Sequence, residues 1–119
     1  MRTIIVIQSP PFISASAKEG LDTALALGVF NIDVQVVLTG EGLLHAIAPN
    51  PSSDNTAPTH GATSLFSNLG ALELYDLPKA VALESEVDTW LKGHSLPDWL
   101  STCSDWQSLF QSTYHLQLF

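Results

Sequence analysis

The sequence predicts an α/β protein: a sheet of about five mostly parallel strands with helices on both faces. Three observations predict it. Residues 3–8 place Ile4, Ile5, Val6 and Ile7 in a row, four β-branched apolar residues with no polar interruption. A run this short reads as a strand buried on both faces, because strands packed between two helical layers lose their in/out alternation. Ser9-Pro10-Pro11 follows at once and cannot continue a strand, and a helical pattern comes next. Short β-branched runs then alternate with helical periods down the chain, which is the pattern of a parallel sheet.

The elements follow in order. Residues 15–28 form the first helix, with Ala17, Leu21, Ala24, Leu25 and Gly28 on one apolar face. Ser14 or Ser16 can cap it, with Glu19 three residues beyond Ser16. Gly20 inside this helix costs about 1 kcal/mol against Ala, a cost that close approach of another backbone would explain. Residues 33–38 are the second strand, ended by Thr39-Gly40-Glu41-Gly42, and residues 42–47 read as a short helix. Three prolines among the turn formers of residues 49–58 make that stretch an exposed loop.

A third helix is expected over 59–69, with Leu65, Phe66 and Leu69 on one face and Gly70 as its stop. Residues 74–78 read as a turn and 79–83 as the third strand. Glu84 or Ser85 opens a fourth helix through Val87, Trp90 and Leu91, stopped by Gly93. Residues 99–103 are a short fourth strand. Ser104 or Asp105 caps a last helix through Trp106, Leu109 and Phe110, and residues 115–119 are the final strand. Five strands alternating with helices make a doubly wound sheet of flavodoxin-like type, with right-handed crossovers.

Composition bounds what such a chain does. At 119 residues it is long enough for a single domain with a real core, spanning 1–119. Apolar residues are 45% and charged residues 13%, which predicts a folded chain with apolar surface left for partner subunits to cover. A monomer with a large core is the alternative. The net charge is −8, with Arg2, Lys18, Lys79 and Lys92 as the only cations. Phosphate backbones need Lys and Arg to displace their counterions, so direct nucleic-acid binding and binding to an anionic membrane are both disfavoured. Residues 3–7 are too short for the apolar core of a signal peptide, and no run approaches the ~20 apolar residues of a membrane span. A cytoplasmic location is expected.

Sites in open α/β sheets form beyond the carboxyl ends of the strands. Three loops qualify: residues 9–14, residues 39–42 and Glu84-Ser85. The first has no glycine and loses backbone donors at two prolines, which argues against a flavin or nucleotide phosphate there. Gly40-Glu41-Gly42 has two glycines with a carboxylate between them, which repels phosphate. His45, His60, His94 and His115 show no metal-ligand spacing, and each reads as a surface or satisfied histidine. Trp90, Trp99 and Trp106 read as core or interface aromatics rather than a ligand cage. No cofactor or metal is expected. Cys103 is the only possible covalent carrier. It precedes a helix start, but Asp105 repels a thiolate and no Lys or Arg lies after Lys92, so a structural cysteine is the better reading.

Taken together, the first strand Ile4 to Ile7, Ser9-Pro10-Pro11-Phe12, Ala17-Lys18-Glu19-Gly20-Leu21-Asp22, Asp33-Val34-Gln35-Val36-Val37 and Gly40-Glu41-Gly42 resemble one family in order and spacing. So do Leu69-Gly70, Leu74-Tyr75-Asp76 and the closing Leu116-Gln117-Leu118-Phe119. The chain resembles the TusC/DsrF branch of the DsrE/DsrF/DsrH sulfur-relay proteins. The resemblance implies one flavodoxin-like domain in a cytoplasmic heterohexamer with TusB-like and TusD-like subunits. That complex takes persulfide sulfur from a TusA-like carrier and passes it through a TusE-like one toward 2-thiouridine at the tRNA wobble position; a DsrF-like place in sulfur oxidation is the close variant. The sulfur-carrying cysteine belongs to the TusD/DsrE subunit. Relatives can carry cysteines where this chain has Gln35, Ala80 and Leu83, and Cys103 matches none of them. The resemblance therefore implies a non-catalytic subunit. Its rivals are a persulfide carrier using Cys103 and a flavodoxin-like small-molecule binder that works alone.

Overall fold

The computed structural model describes residues 2–12, 15–47, 65–111 and 113–119. Five strands form a single parallel sheet: β1 (Arg2–Ile7), β2 (Val34–Leu38), β3 (Ala80–Leu83), β4 (Leu100–Cys103) and β5 (Thr113–Leu118). Their spatial order is β4-β3-β2-β1-β5, and every neighbouring pair is parallel. Among the described residues the helices are α1 (Ser16–Val29), α2 (Glu84–Trp90) and α3 (Trp106–Phe110), with two 3-10 helices at Gly40–Ala46 and Asn68–Tyr75. None of the described helices is long and apolar enough to cross a membrane.

The chain steps from β1 through β4 in one direction, so right-handed crossovers put α1, both 3-10 helices and α2 on one face. The return from β4 to β5 runs the other way and puts α3 on the opposite face. The packing agrees. Ile5, Ile7, Val34, Val36, Leu38, Ala80, Ala82 and Leu100 meet Ala17, Leu21 and Ala24 of α1, with Leu43, Leu69, Leu72 and Leu91. Ile4, Val6, Val37 and Val81 meet Trp106, Leu109 and Phe110. The uninterrupted apolar run of β1 is thus shared between two cores. Each of its four side chains is buried, worth about 1.5–3 kcal/mol apiece.

Several boundaries differ from the sequence reading. The N-cap position of α1 holds Ala15, which makes no side-chain cap bond, and Ser16 is already helical. Ser14 lies outside the described residues, as do the 49–58 loop and residues 59–64 of the expected third helix. The rest of that expectation is corrected: residues 65–67 precede a 3-10 helix that passes through Gly70 and ends at Tyr75. Asp76, not Gly70, stops it, at φ +59, with its N–H donating to the Glu73 carbonyl. Asp is one of the few residues that tolerates this left-handed conformation. Leu65 and Leu69 are buried all the same, and Phe66 packs beside them, without a helix to set them on one face. Gly20 does admit a close neighbour, but it is a side chain: a Cβ there would sit 2.8 Å from the Phe119 ring.

Candidate functional site

The carboxyl ends of the strands are where a parallel sheet builds sites, and here they are tied together by their own side chains. Beyond β1, the Gln8 and Ser9 N–H groups donate to the Phe119 carbonyl at 3.0 and 3.2 Å, and Ser9 Oγ donates to the same oxygen at 3.1 Å. β1 and β5 are therefore latched where both end. Phe12 projects beyond them, exposed, at φ +67.

Beyond β2, the first 3-10 helix folds back against β1. Gly42 makes this possible: a Cβ there would lie 2.8 Å from the Ile7 carbonyl carbon and 3.1 Å from the Gln8 Cα, both of them backbone. Thr39 Oγ1 donates across the Glu86 carboxylate, 2.8 Å from Oε1 and 3.1 Å from Oε2, and the Gly40 N–H donates to Oε2 at 3.2 Å. The Gly40-Glu41-Gly42 loop thus already hydrogen-bonds an anionic group, and that group belongs to α2. An exogenous phosphate would have to displace it. Glu86 was not singled out from the sequence. Its partners lie 46 and 47 residues away, and only the pairing of β2 with β3 brings them together.

His45 is fully buried in the same place. Its Nδ1 accepts the Leu65 N–H at 3.1 Å, so Nε2 carries the ring proton and donates to the Ser9 carbonyl at 3.0 Å. Burial holds its pKa below the ordinary histidine value, against a smaller upward pull from the Ser9 carbonyl. It is a neutral strut between the β1 loop and residue 65. His94 and His115 are exposed, and His60 lies outside the described residues. Among the described residues, no three His, Cys, Asp or Glu side chains gather as a metal site would need.

Cys103 ends β4, half-buried and unpaired as a thiol. Burial pushes its pKa above the ordinary thiol value, and the Asp105 and Glu84 carboxylates push it the same way. A thiolate is the nucleophilic form, so this environment works against sulfur chemistry at that atom. Positions 35, 80 and 83 are all in the sheet: Ala80 is buried beneath the helices, and Gln35 Nε2 donates to the Lys79 carbonyl at 2.7 Å, joining β2 to the start of β3. The tryptophans do not converge. Trp99 meets Phe66 edge to face at 5.9 Å, Trp90 packs on the same core, and Trp106 stacks on Phe110 at 5.7 Å across the sheet.

This geometry defines a parallel three-layer α/β protein whose strand-end loops are engaged internally. The fold is that of the ychN protein from E. coli, whose crystal structure superposes with a TM-score of 0.73 over 99% of this chain and 98% of that one, at 19% identity. The model of the DsrE/DsrF-like family matches residues 1–82, so the chain belongs to the DsrE/DsrF-like family. It is 32% identical over 72 residues to a protein TusC homolog from Aliivibrio fischeri. That match covers 60% of this chain and 57% of the relative's length.

Proposed function

We propose that this chain is a TusC-like, non-catalytic subunit of a cytoplasmic sulfur-relay complex that serves 2-thiouridine formation at the tRNA wobble position. As a single domain over 1–119, it would assemble with TusB-like and TusD-like subunits, two copies of each. It helps shape the complex while the TusD-like partner's cysteine holds the persulfide. TusA-like and TusE-like carriers lie upstream and downstream. Family membership and the similarity to a TusC homolog support the setting. The observation that carries the non-catalytic role is Cys103: the sequence holds no other cysteine, and burial and two carboxylates push its thiol pKa up, away from the thiolate that sulfur chemistry needs.

The test is native mass by light scattering, for this chain alone and co-expressed with its candidate TusB-like and TusD-like partners. A co-eluting species of about six chains, with persulfide transfer unchanged in Cys103→Ser, is the expected result. A monomer that ignores both partners refutes the subunit role. Loss of transfer in Cys103→Ser, with assembly intact, establishes Cys103 as a carrier instead.

A further inference from the structure

The two edges of the sheet are finished differently. β4 is four residues long, and so short an edge offers little to pair with. β5 has six, and among the described residues no strand lies on its outer side. Its sequence, Thr113-Tyr114-His115-Leu116-Gln117-Leu118, holds no Lys, Arg, Asp, Glu or Pro, the residues that ordinarily keep an edge strand single. The register against β1 slips at Tyr114, as at a bulge, and from His115 to Leu118 it is regular. Leu116 and Leu118 lie opposite Ile4 and Val6, so they carry the α3-side core out to the rim of the sheet. They are 43% and 59% exposed there.

We infer that β5 pairs antiparallel with β5 of a second copy of this chain, across a two-fold axis at Gln117, so that two sheets become one. The backbone fixes the register. The Phe119 N–H donates to the Val6 carbonyl at 2.7 Å, and the Phe119 carbonyl accepts the Gln8 N–H at 3.0 Å, so both groups face β1. By alternation Gln117 faces β1 as well, and the N–H and C=O groups of Leu116 and Leu118 point outward. A two-fold axis at Gln117 sets Leu116 of each copy opposite Leu118 of the other as hydrogen-bonded pairs, clear of the slip at Tyr114. The side chains select the occupant. Leu116-Gln117-Leu118 reads alike in both directions. Each exposed leucine therefore meets a leucine on one face, and the two Gln117 amides meet on the other. Like charges directly opposite one another destabilise a strand pair. In a chain of net charge −8, an uncharged strand is where two copies can touch. The inference does not depend on the subunit reading, and a complex with two copies of this chain accommodates it.

The experiment uses the chain alone. Sedimentation equilibrium compares wild type with Leu118→Lys, and Gln117→Cys in a Cys103→Ser background is oxidised by dioxygen. Across the axis the two 117 positions form a non-hydrogen-bonded pair, with Cα atoms about 4.5 Å apart. A disulfide spans about 4.4–6.8 Å. The expected results are a concentration-dependent dimer in wild type, at least tenfold weaker dimerisation in Leu118→Lys, and a disulfide-linked dimer from Gln117→Cys. A wild-type chain that stays monomeric at every concentration overturns the inference and leaves the subunit reading untouched. A dimer that Leu118→Lys does not weaken, or that Gln117→Cys does not cross-link, uses another face and overturns it too. If the chain is a monomer and Gln117→Cys is shielded from alkylation only by a co-expressed partner subunit, that subunit is the occupant and the inference falls. Should Leu118→Lys fail to fold, the cross-link decides.

Discussion

Gly42→Ala should be the most damaging single methyl that can be added at the strand ends. The new Cβ would sit 2.8 Å from the Ile7 carbonyl carbon and closer still to its oxygen, with the Gln8 Cα at 3.1 Å behind it. All three are backbone atoms of β1 or its exit, so no rotamer change relieves the clash. Overpacking of this kind costs about 1–3 kcal/mol. The Ile7 carbonyl also accepts the Thr39 N–H at 3.1 Å, and pushing the two segments apart weakens that bond by up to about 1 kcal/mol. The sum is about 3 kcal/mol. An unfolding entropy of roughly 2.1 cal/mol/K per residue makes each kcal/mol worth about 4 °C in a chain of this size, so Tm should fall by about 12 °C. The assay is thermal unfolding followed by circular dichroism, with Gly70→Ala as the control. A Cβ at Gly70 meets one atom, Trp99 Cδ1, at 3.7 Å, an ordinary contact. A Gly42→Ala protein that melts within 3 °C of wild type would refute the close-approach argument.

Three further predictions concern the same end of the sheet. Because the folded state lowers the pKa of His45, the unfolded chain binds the extra proton first as pH falls below the ordinary value near 6.5. Stability should therefore drop with pH from there until the folded value is reached, by at most about 1.4 kcal/mol per pH unit. Urea unfolding at pH 7.0 and 5.5 checks this, and His45→Asn should flatten the difference. Glu86→Ala removes the acceptor for Thr39 and Gly40 and should cost about 1–2 kcal/mol for charge-assisted bonds at a half-buried site; Glu84→Ala, exposed, should stay within about 0.5 kcal/mol. Alkylation of Cys103 by iodoacetamide should reach half its maximal rate at a higher pH than free cysteine, and Asp105→Asn should bring that midpoint down.

The strands were legible because their signals are local. Ile4 to Ile7 declare a strand with two covered faces, and β4 falls within the residues 99–103 expected of it. The second 3-10 helix was not legible. Three residues per turn leaves no 3.6-residue stripe to read, and Gly70 looked like a stop because glycine so often is one. The strand-end contacts were out of reach for a different reason. His45 finds partners at residues 9 and 65, and Glu86 at 39 and 40. Such pairings follow from strand order, which periodicity does not encode. Gly20 shows the intermediate case: its presence in a helix announced a close neighbour, and only the structure identified Phe119.

The pairing of β1 with β5 sets a condition on synthesis. β1 lies inside the sheet, yet one of its two neighbours is built from residues 113–118. At about 5–20 residues per second, β5 follows β2 from the ribosome by roughly 4–16 s. For that interval a nascent β1–β2 pair would carry an unpaired strand edge of Ile and Val, the kind of template on which other chains nucleate aggregation. The Phe119 carbonyl, gathering donors from Gln8 and Ser9, is the last bond set that closes that edge. Damage to residues 113–119 should therefore appear first as lost soluble yield in growing cells, ahead of any lowered melting point in the molecules that do mature.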